Sequence, residues 1–304
     1  MATVALDNGL SLAVEAHGPA SGVAVVLILG IGAPLSLWPP TLYRRLAAAG
    51  YRVILFDNRD VGLSFKVEIP PRAGFGATLW GALRDRPVPP VYTLDHMAED
   101  VRGLLDRLDI ERAHVVGVSM GGMIAQRLAC SHPQRLLSLT SIMSCSCAPR
   151  QLRPHLRLLG QLTGGRPGGG PEVRQTFLVR WLQRLDGPHY RYDVEELRAT
   201  VAASYTRGGH GETPGLLRQL QAILAAPGWE GELASLPVPT LVIHGHDDPL
   251  VPVAAGIATA RAIPQARRAL IDGLGHSLSP AAIGAMLPPL LDHLARIDAQ
   301  VLAS

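Results

Sequence analysis

The sequence predicts an α/β fold: a mostly parallel central sheet flanked by helices, with a helical insertion. Three observations predict it. Short β-branched and aliphatic runs alternate with segments of helical periodicity, the rhythm of parallel strands joined by helical crossovers. The runs are apolar throughout, as strands buried on both faces are. One interval, from about 149 to 236, breaks the rhythm with helical patches and no buried strand. The core is therefore expected at 1–148 and 237–304, and a helical cap at 149–236. A length of 304 residues suits one large domain with an insertion better than two independent domains. With 47% hydrophobic and 17% charged residues, the chain can bury a core and is not a disordered polymer.

Taken in order, Asn8-Gly9 separates two alternating segments, Thr3 to Leu6 and Leu10 to Val14, which predicts a hairpin. Val23 to Leu29 reads as a strand buried on both faces. Leu42, Leu46 and Ala49 mark a helix that stops at Gly50, and Arg52 to Phe56 is a second buried strand. Lys66 to Val91, with Gly74, Gly76 and Pro87 to Pro90, reads as an irregular, mobile flap near the site. Leu94, Met97, Val101, Leu104 and Leu108 recur at helical spacing behind a cap at Thr93 or Asp95. His114 to Val118 is a third buried strand, followed by a helix from Met120 to Ser131. A fourth strand is expected at Leu139 to Ser144, a fifth at Thr240 to His244 and a sixth at Ala269 to Asp272. Within the insertion, Phe177 to Leu185 and Val194 to Tyr205 read as helical and Gly164 to Gly170 as a loop. The segment Pro289 to Gln300 closes the chain as a helix.

The decisive segment is Gly117-Val118-Ser119-Met120-Gly121, after a buried strand and before a helix. A serine there sits on a strained turn that exposes its Oγ above the sheet, and the flanking glycines remove side chains that would collide. A serine hydroxyl is a weak nucleophile until a base takes its proton. His276 follows the last predicted strand on a loop at the same sheet edge as Ser119, and is the candidate base. The base needs an anion to fix its tautomer. Asp247 and Asp248 both follow the fifth strand; Asp248, which precedes Pro249, is the candidate, with Asp247 the alternative. The end of the fourth strand, Ser144-Cys145-Ser146, offers no carboxylate. Backbone N–H groups of Ile31, in the turn Leu29-Gly30-Ile31-Gly32, and of Met120 are the candidate oxyanion donors. A phosphate loop is the rival reading of that turn, but neither Gly-x-Gly-x-x-Gly nor a Lys-Ser/Thr ending is present.

These residues resemble the α/β-hydrolase superfamily over nearly the whole chain. Within it, Phe56-Asp57-Asn58-Arg59-Asp60-Val61-Gly62-Leu63-Ser64, Tyr92-Thr93-Leu94 and Gly117 to Gly122 are similar to esterases of the aclacinomycin methylesterase-like branch. The resemblance implies an α/β-hydrolase fold and a carboxylic-ester hydrolase with Ser119 as nucleophile, His276 as base and Asp248 as acid, with no cofactor. It implies structural roles for Arg59 and Asp60, whose charges brace loops near the site. Leu29 stands where the family usually has His before the oxyanion glycine. A cofactor-free haloperoxidase or perhydrolase using the same triad is the alternative enzyme reading, and a ligand receptor retaining the triad is the alternative from another class.

The resemblance implies a small-molecule ester as the partner, and the remaining composition points to no nucleic acid and no membrane span. Net charge is +3 with interspersed signs, which gives no nucleic-acid tract; Arg150, Arg153, Arg157 and Arg166 read as a solvated face. Cys130, Cys145 and Cys147 cannot form a disulfide framework or a zinc ligand set, so no metal is expected. The longest apolar run falls far short of the about 20 residues that cross a bilayer, and no signal peptide is visible. The expectation is a soluble cytoplasmic protein of undetermined oligomeric state. Leu35, Leu37, Trp38, Trp181 and Trp229 are candidate pocket residues, each with core packing as its plainer role.

Overall fold

The computed structural model describes residues 1–146, 158, 170–207 and 213–302. Cys147, Arg150, Arg153, His155, Arg157, Arg166 and most of the Gly164 to Gly170 loop lie outside the described residues.

Eight strands form one sheet: β1 (Ala2–Ala5), β2 (Ser11–His17), β3 (Ala24–Ile28), β4 (Arg52–Phe56), β5 (Ala113–Val118), β6 (Leu136–Ile142), β7 (Thr240–Gly245) and β8 (Arg267–Ile271). Their order is β1-β2-β4-β3-β5-β6-β7-β8. The β1–β2 hairpin and the β2–β4 pair are antiparallel, and every other pair is parallel. The period-2 geometry of a strand sends alternate side chains into two separate cores. Val26, Ile28, Ile54, Phe56 and Val115 enter one core. Val25, Leu27, Val53, Leu55 and Val116 enter the other.

Helices α1 (Pro40–Ala48), α2 (Phe75–Leu83), α3 (Leu94–Arg107) and α4 (Met120–Ser131) connect the first strands. Gly50, at φ +96°, adopts the left-handed conformation that ends α1. Thr93 caps α3 in a capping box: its side chain accepts from the His96 N–H while the His96 ring accepts from the Thr93 N–H. Between β6 and β7 lie α5 (Pro171–Gln183), α6 (Val194–Arg207), α7 (Thr213–Ala225) and the short α8 (Glu230–Leu233), with no strand among the described residues. The last helices are α9 (Val253–Ala262) and α10 (Pro280–Leu302).

Four sequence expectations need correction. Strand β6 begins at Leu136, three residues before the expected start, because Leu136 pairs with Ala113 beside a bulge at Ala113/His114. Helix α10 begins at Pro280 and runs through Pro288 and Pro289 instead of starting there. A proline inside a helix costs roughly 3 kcal/mol. Ile283, Met286, Leu287, Leu290 and Leu294 all bury on one face of α10, each contributing about 1.5–3 kcal/mol, so packing outweighs the prolines. The stretch Lys66 to Val91 contains α2. It packs on the insertion, where Gln221 Nε2 donates to Ala73 O and to Thr78 Oγ1, and does not line the cavity at Ser119. Of the five candidate pocket residues only Leu37 and Trp181 line that cavity; Leu35, Trp38 and Trp229 are core.

The strand order places the site. The chain steps from β3 outward to β4, then returns across β3 to β5. Loops leaving the carboxyl ends of β3 and β5 therefore diverge and open a crevice at this switch point. Gly30 follows β3 there and Ser119 follows β5.

Candidate active site

Ser119 is the N-cap of α4, with φ 58° and ψ −123°. A non-glycine residue at positive φ is strained, and such strain persists only where surrounding packing over-determines it. Three hydrogen bonds fix the backbone carbonyl, which accepts from Gly122 N at 2.9 Å, Met123 N at 3.2 Å and Ser144 Oγ at 2.8 Å. The Ser119 N–H donates to Ile142 O at 2.9 Å. The glycines explain themselves sterically. A Cβ on Gly117 would meet Gly121 O at 2.1 Å, and one on Gly121 would meet Ile28 O at 2.0 Å. Helix α4 could then neither start so close to β5 nor lie so close to β3.

His276 reaches Asp248 from the loop after β8. Its Nδ1 lies 2.7 Å from Asp248 Oδ2. Asp248 is buried at 6% exposure. Its Oδ1 accepts from the Leu250 and Val251 amides at 2.8 Å each, which leaves Oδ2 turned to the histidine. Burial alone raises its carboxyl pKa, but the adjacent His276 and His244 outweigh it and hold it well below the usual carboxylate range. Asp247 points elsewhere: its Oδ2 accepts from the Gly273 N–H at 2.9 Å and ties the β7 loop to the histidine loop. The structure thus joins His276 to Asp248 and not to Asp247.

Ser119 and His276 line one cavity of about 110 Å³. The Ser119 hydroxyl makes no hydrogen bond to another described group, and such contacts often tighten only when substrate binds. Ile31 lines the same cavity, and Gly30 packs so tightly on the serine that an added Cβ would lie 3.1 Å from Ser119 Cβ. Among the described residues neither the Ile31 nor the Met120 amide has an acceptor. Most of the rest of the wall is apolar, with Leu29, Val118, Met143 and Leu250 from the core and Trp181, Leu182, Leu185 and Leu197 from the insertion; Tyr192, Thr200 and Ser277 are its polar members. No Asp, Glu, Lys or Arg lines it among the described residues.

Several supporting residues carry no sequence signal. Gln219 of α7 accepts from the Gly32 amide at 2.8 Å and donates to Arg59 O at 2.9 Å, bracing the Gly30–Gly32 turn from the insertion. His244 lies 3.5 Å from Asp248 Oδ2 and donates through Nε2 to Val251 O. The Asp57 to Ser64 element is structural, as expected. Asp57 accepts from Leu35 N, Asn58 donates to Leu29 O, Arg59 pairs with Asp100, and Asp60 pairs with Arg218. No group of three or more potential metal ligands occurs among the described residues. No described helix is long and apolar enough to cross a membrane.

A serine on a strand-to-helix elbow, at the switch point of a mostly parallel sheet, defines the class: a hydrolase on an α/β scaffold. The chain belongs to the alpha/beta hydrolase fold family, whose model matches residues 23–280. It is 28% identical to rhodomycin D methylesterase DauP of Streptomyces sp. (strain C5), over 88% of this chain and 89% of that protein. It is 29% identical to the putative carbamate hydrolase RutD of Azorhizobium caulinodans, over 93% of this chain and 95% of that one. The enol-lactonase of Burkholderia xenovorans LB400 shares the fold with a TM-score of 0.73 at 24% identity, covering 97% of this chain and all of the other.

Proposed function

We propose that this hydrolase cleaves carboxylic esters of small or medium apolar acids through an acyl-enzyme. The supporting observation is the shared cavity: a serine on a strained strand-to-helix turn lines it together with an imidazole whose Nδ1 is held by a buried carboxylate. Ser119 Oγ attacks the ester carbonyl while His276 Nε2 takes the hydroxyl proton. Asp248 holds the Nδ1 proton and stabilises the imidazolium. The Ile31 and Met120 amides receive the oxyanion, each worth about 3 kcal/mol in the transition state. Collapse expels the alkoxide, which leaves as the alcohol with the proton returned by His276. Water, activated by the same imidazole, then releases the acid.

The mainly apolar wall supports a neutral acyl group, because no Lys or Arg among the described residues lines it to offset a substrate carboxylate. The relative DauP is named for a methyl ester and RutD for a carbamate. Both are acyl carbonyls that a serine can attack, and the apolar wall favours the ester. The segment 149–236 acts as a cap that supplies one side of this wall.

The test is Ser119→Ala assayed on p-nitrophenyl acetate and butyrate, with fluorophosphonate labelling of the wild type. The expected result is loss of turnover by at least about three orders of magnitude and label on Ser119 alone. Retained turnover, or label on another residue, overturns the assignment.

A further inference from the structure

The loop that carries His276 is fastened to the insertion as well as to the core. The His276 N–H donates to Leu185 O at 2.8 Å, and the His189 N–H donates to Gly273 O at 3.2 Å. Ser277 Oγ donates to Asp186 Oδ1 at 2.6 Å, and Ser279 Oγ donates to Tyr190 O at 3.0 Å. The second oxygen of Asp186 accepts from the Tyr192 N–H at 3.0 Å, which closes the turn between α5 and α6 on itself. Backbones touch where these segments meet. A Cβ on Gly187 would lie 2.2 Å from Gly273 O, and one on Gly275 would lie 2.2 Å from Leu185 O.

The bond from His276 Nδ1 to Asp248 fixes one atom of the ring. It leaves the imidazole free to pivot about that bond, and the pivot moves Nε2, the atom that must meet Ser119 Oγ. The backbone position of residue 276 removes that freedom, and its amide is bonded to the insertion. The side chain next in sequence, Ser277, is bonded to a carboxylate of the insertion. We propose that Asp186 is a positioning residue for His276: it anchors Ser277, sets the backbone of the histidine loop, and makes the base competent only while the 185–192 segment is seated. This rests on the assignment of Ser119 and His276 above. Asp186 does not touch the reacting atoms; it acts through Ser277 and the chain.

The test compares wild type with Asp186→Ala, Asp186→Asn and Gly187→Ala. Gly187→Ala pushes the two backbones apart without altering the carboxylate. The readouts are kcat and KM on p-nitrophenyl butyrate, the fluorophosphonate labelling rate, and circular dichroism to establish folding. Misplacement of a catalytic group by about 1 Å costs on the order of 100-fold, so Asp186→Ala is expected to lower kcat and labelling together by about 10- to 100-fold. KM should change by less than kcat, since Trp181, Leu182 and Leu197 of the wall lie outside the 185–192 segment. Asp186→Asn, which keeps one oxygen for Ser277, should recover at least about fivefold of the loss. Folded Asp186→Ala with unchanged kcat, or with KM raised and kcat intact, overturns the proposal. If Asp186→Ala does not fold, Gly187→Ala decides: slowed labelling supports the proposal and unchanged labelling overturns it. Turnover surviving in Ser119→Ala would instead overturn the nucleophile assignment, whatever the Asp186 variants do.

Discussion

At the residue scale, the site depends on which atoms of Asp248 face which donors. Its Oδ1 serves two backbone amides and its Oδ2 serves His276. In Asp248→Asn the amide oxygen can keep the backbone bonds, but the NH2 then faces His276 Nδ1 and imposes the wrong tautomer. The expected outcome is a fall in kcat of about four orders of magnitude with little change in KM, measured on p-nitrophenyl butyrate. The same substitution tests the electrostatics. Because the folded-state pKa of Asp248 is lowered, its carboxylate contributes stability that is full above about pH 4, the unfolded value. That contribution is lost as pH falls through the lowered native value. Acid unfolding of Asp248→Asn, followed by circular dichroism, should therefore show a shallower pH dependence below about pH 4. The turn at Ser119 and its two glycines were legible at this scale because their constraints are local. The sequence named Asp248 first and left Asp247 as the alternative; which of them meets the imidazole depends on neighbouring side chains leaving one loop in different directions.

At the element scale, α10 teaches most. Its prolines pointed to a helix start, yet the apolar face on both sides of them carries the helix through. The same helix buries a titratable group. His293 is 2% exposed, and its Nε2 has no described hydrogen-bond partner. Burial, aided by the positive charges of His114, Arg267 and Arg296 and opposed by Asp292, lowers its pKa from 6.5 to about 4. Above about pH 6.5 the neutral imidazole carries no penalty. As pH falls from there toward 4, the unfolded chain takes up a proton that the folded one refuses, and stability declines. In His293→Gln this decline should shrink by on the order of 2 kcal/mol between pH 7 and pH 4.5, read by urea unfolding at both pH values. An unchanged decline would place the acid sensitivity elsewhere. Helix α2 and the early start of β6 escaped the sequence reading for a related reason. A short helix rich in glycine, and the first residues of a strand beside a bulge, are decided by what they pack against.

At the scale of the whole molecule, the core supplies the elbow, the Gly30–Gly32 turn and the carboxylate, while the insertion supplies the far wall and grips the histidine loop. The cavity of about 110 Å³ is walled on one side by Trp181, Leu182, Leu185 and Leu197. A wall of this kind selects by size. The value of kcat/KM on p-nitrophenyl butyrate should exceed that on the decanoate by at least about tenfold, because extra methylenes have no room without displacing the insertion. Equal values, or values rising with chain length, would show that the wall yields. The insertion was legible as a break in the strand rhythm, but its contacts were not. Gln219 bonds the Gly32 amide across 187 positions, and Ser277 bonds Asp186 across 91.

What the sequence alone determined was everything set by local sterics and periodicity: the buried strands, the elbow around Ser119 and the order of serine, aspartate and histidine along the chain. Each follows from φ/ψ limits and from the alternation of side chains on a strand. Only the tertiary structure decided which carboxylate meets the imidazole, which apolar residues wall the cavity and which residues of the insertion hold the histidine loop. Those outcomes depend on distances of a few ångströms between segments far apart in the chain, and such distances exist only once the sheet has brought its loops to one edge.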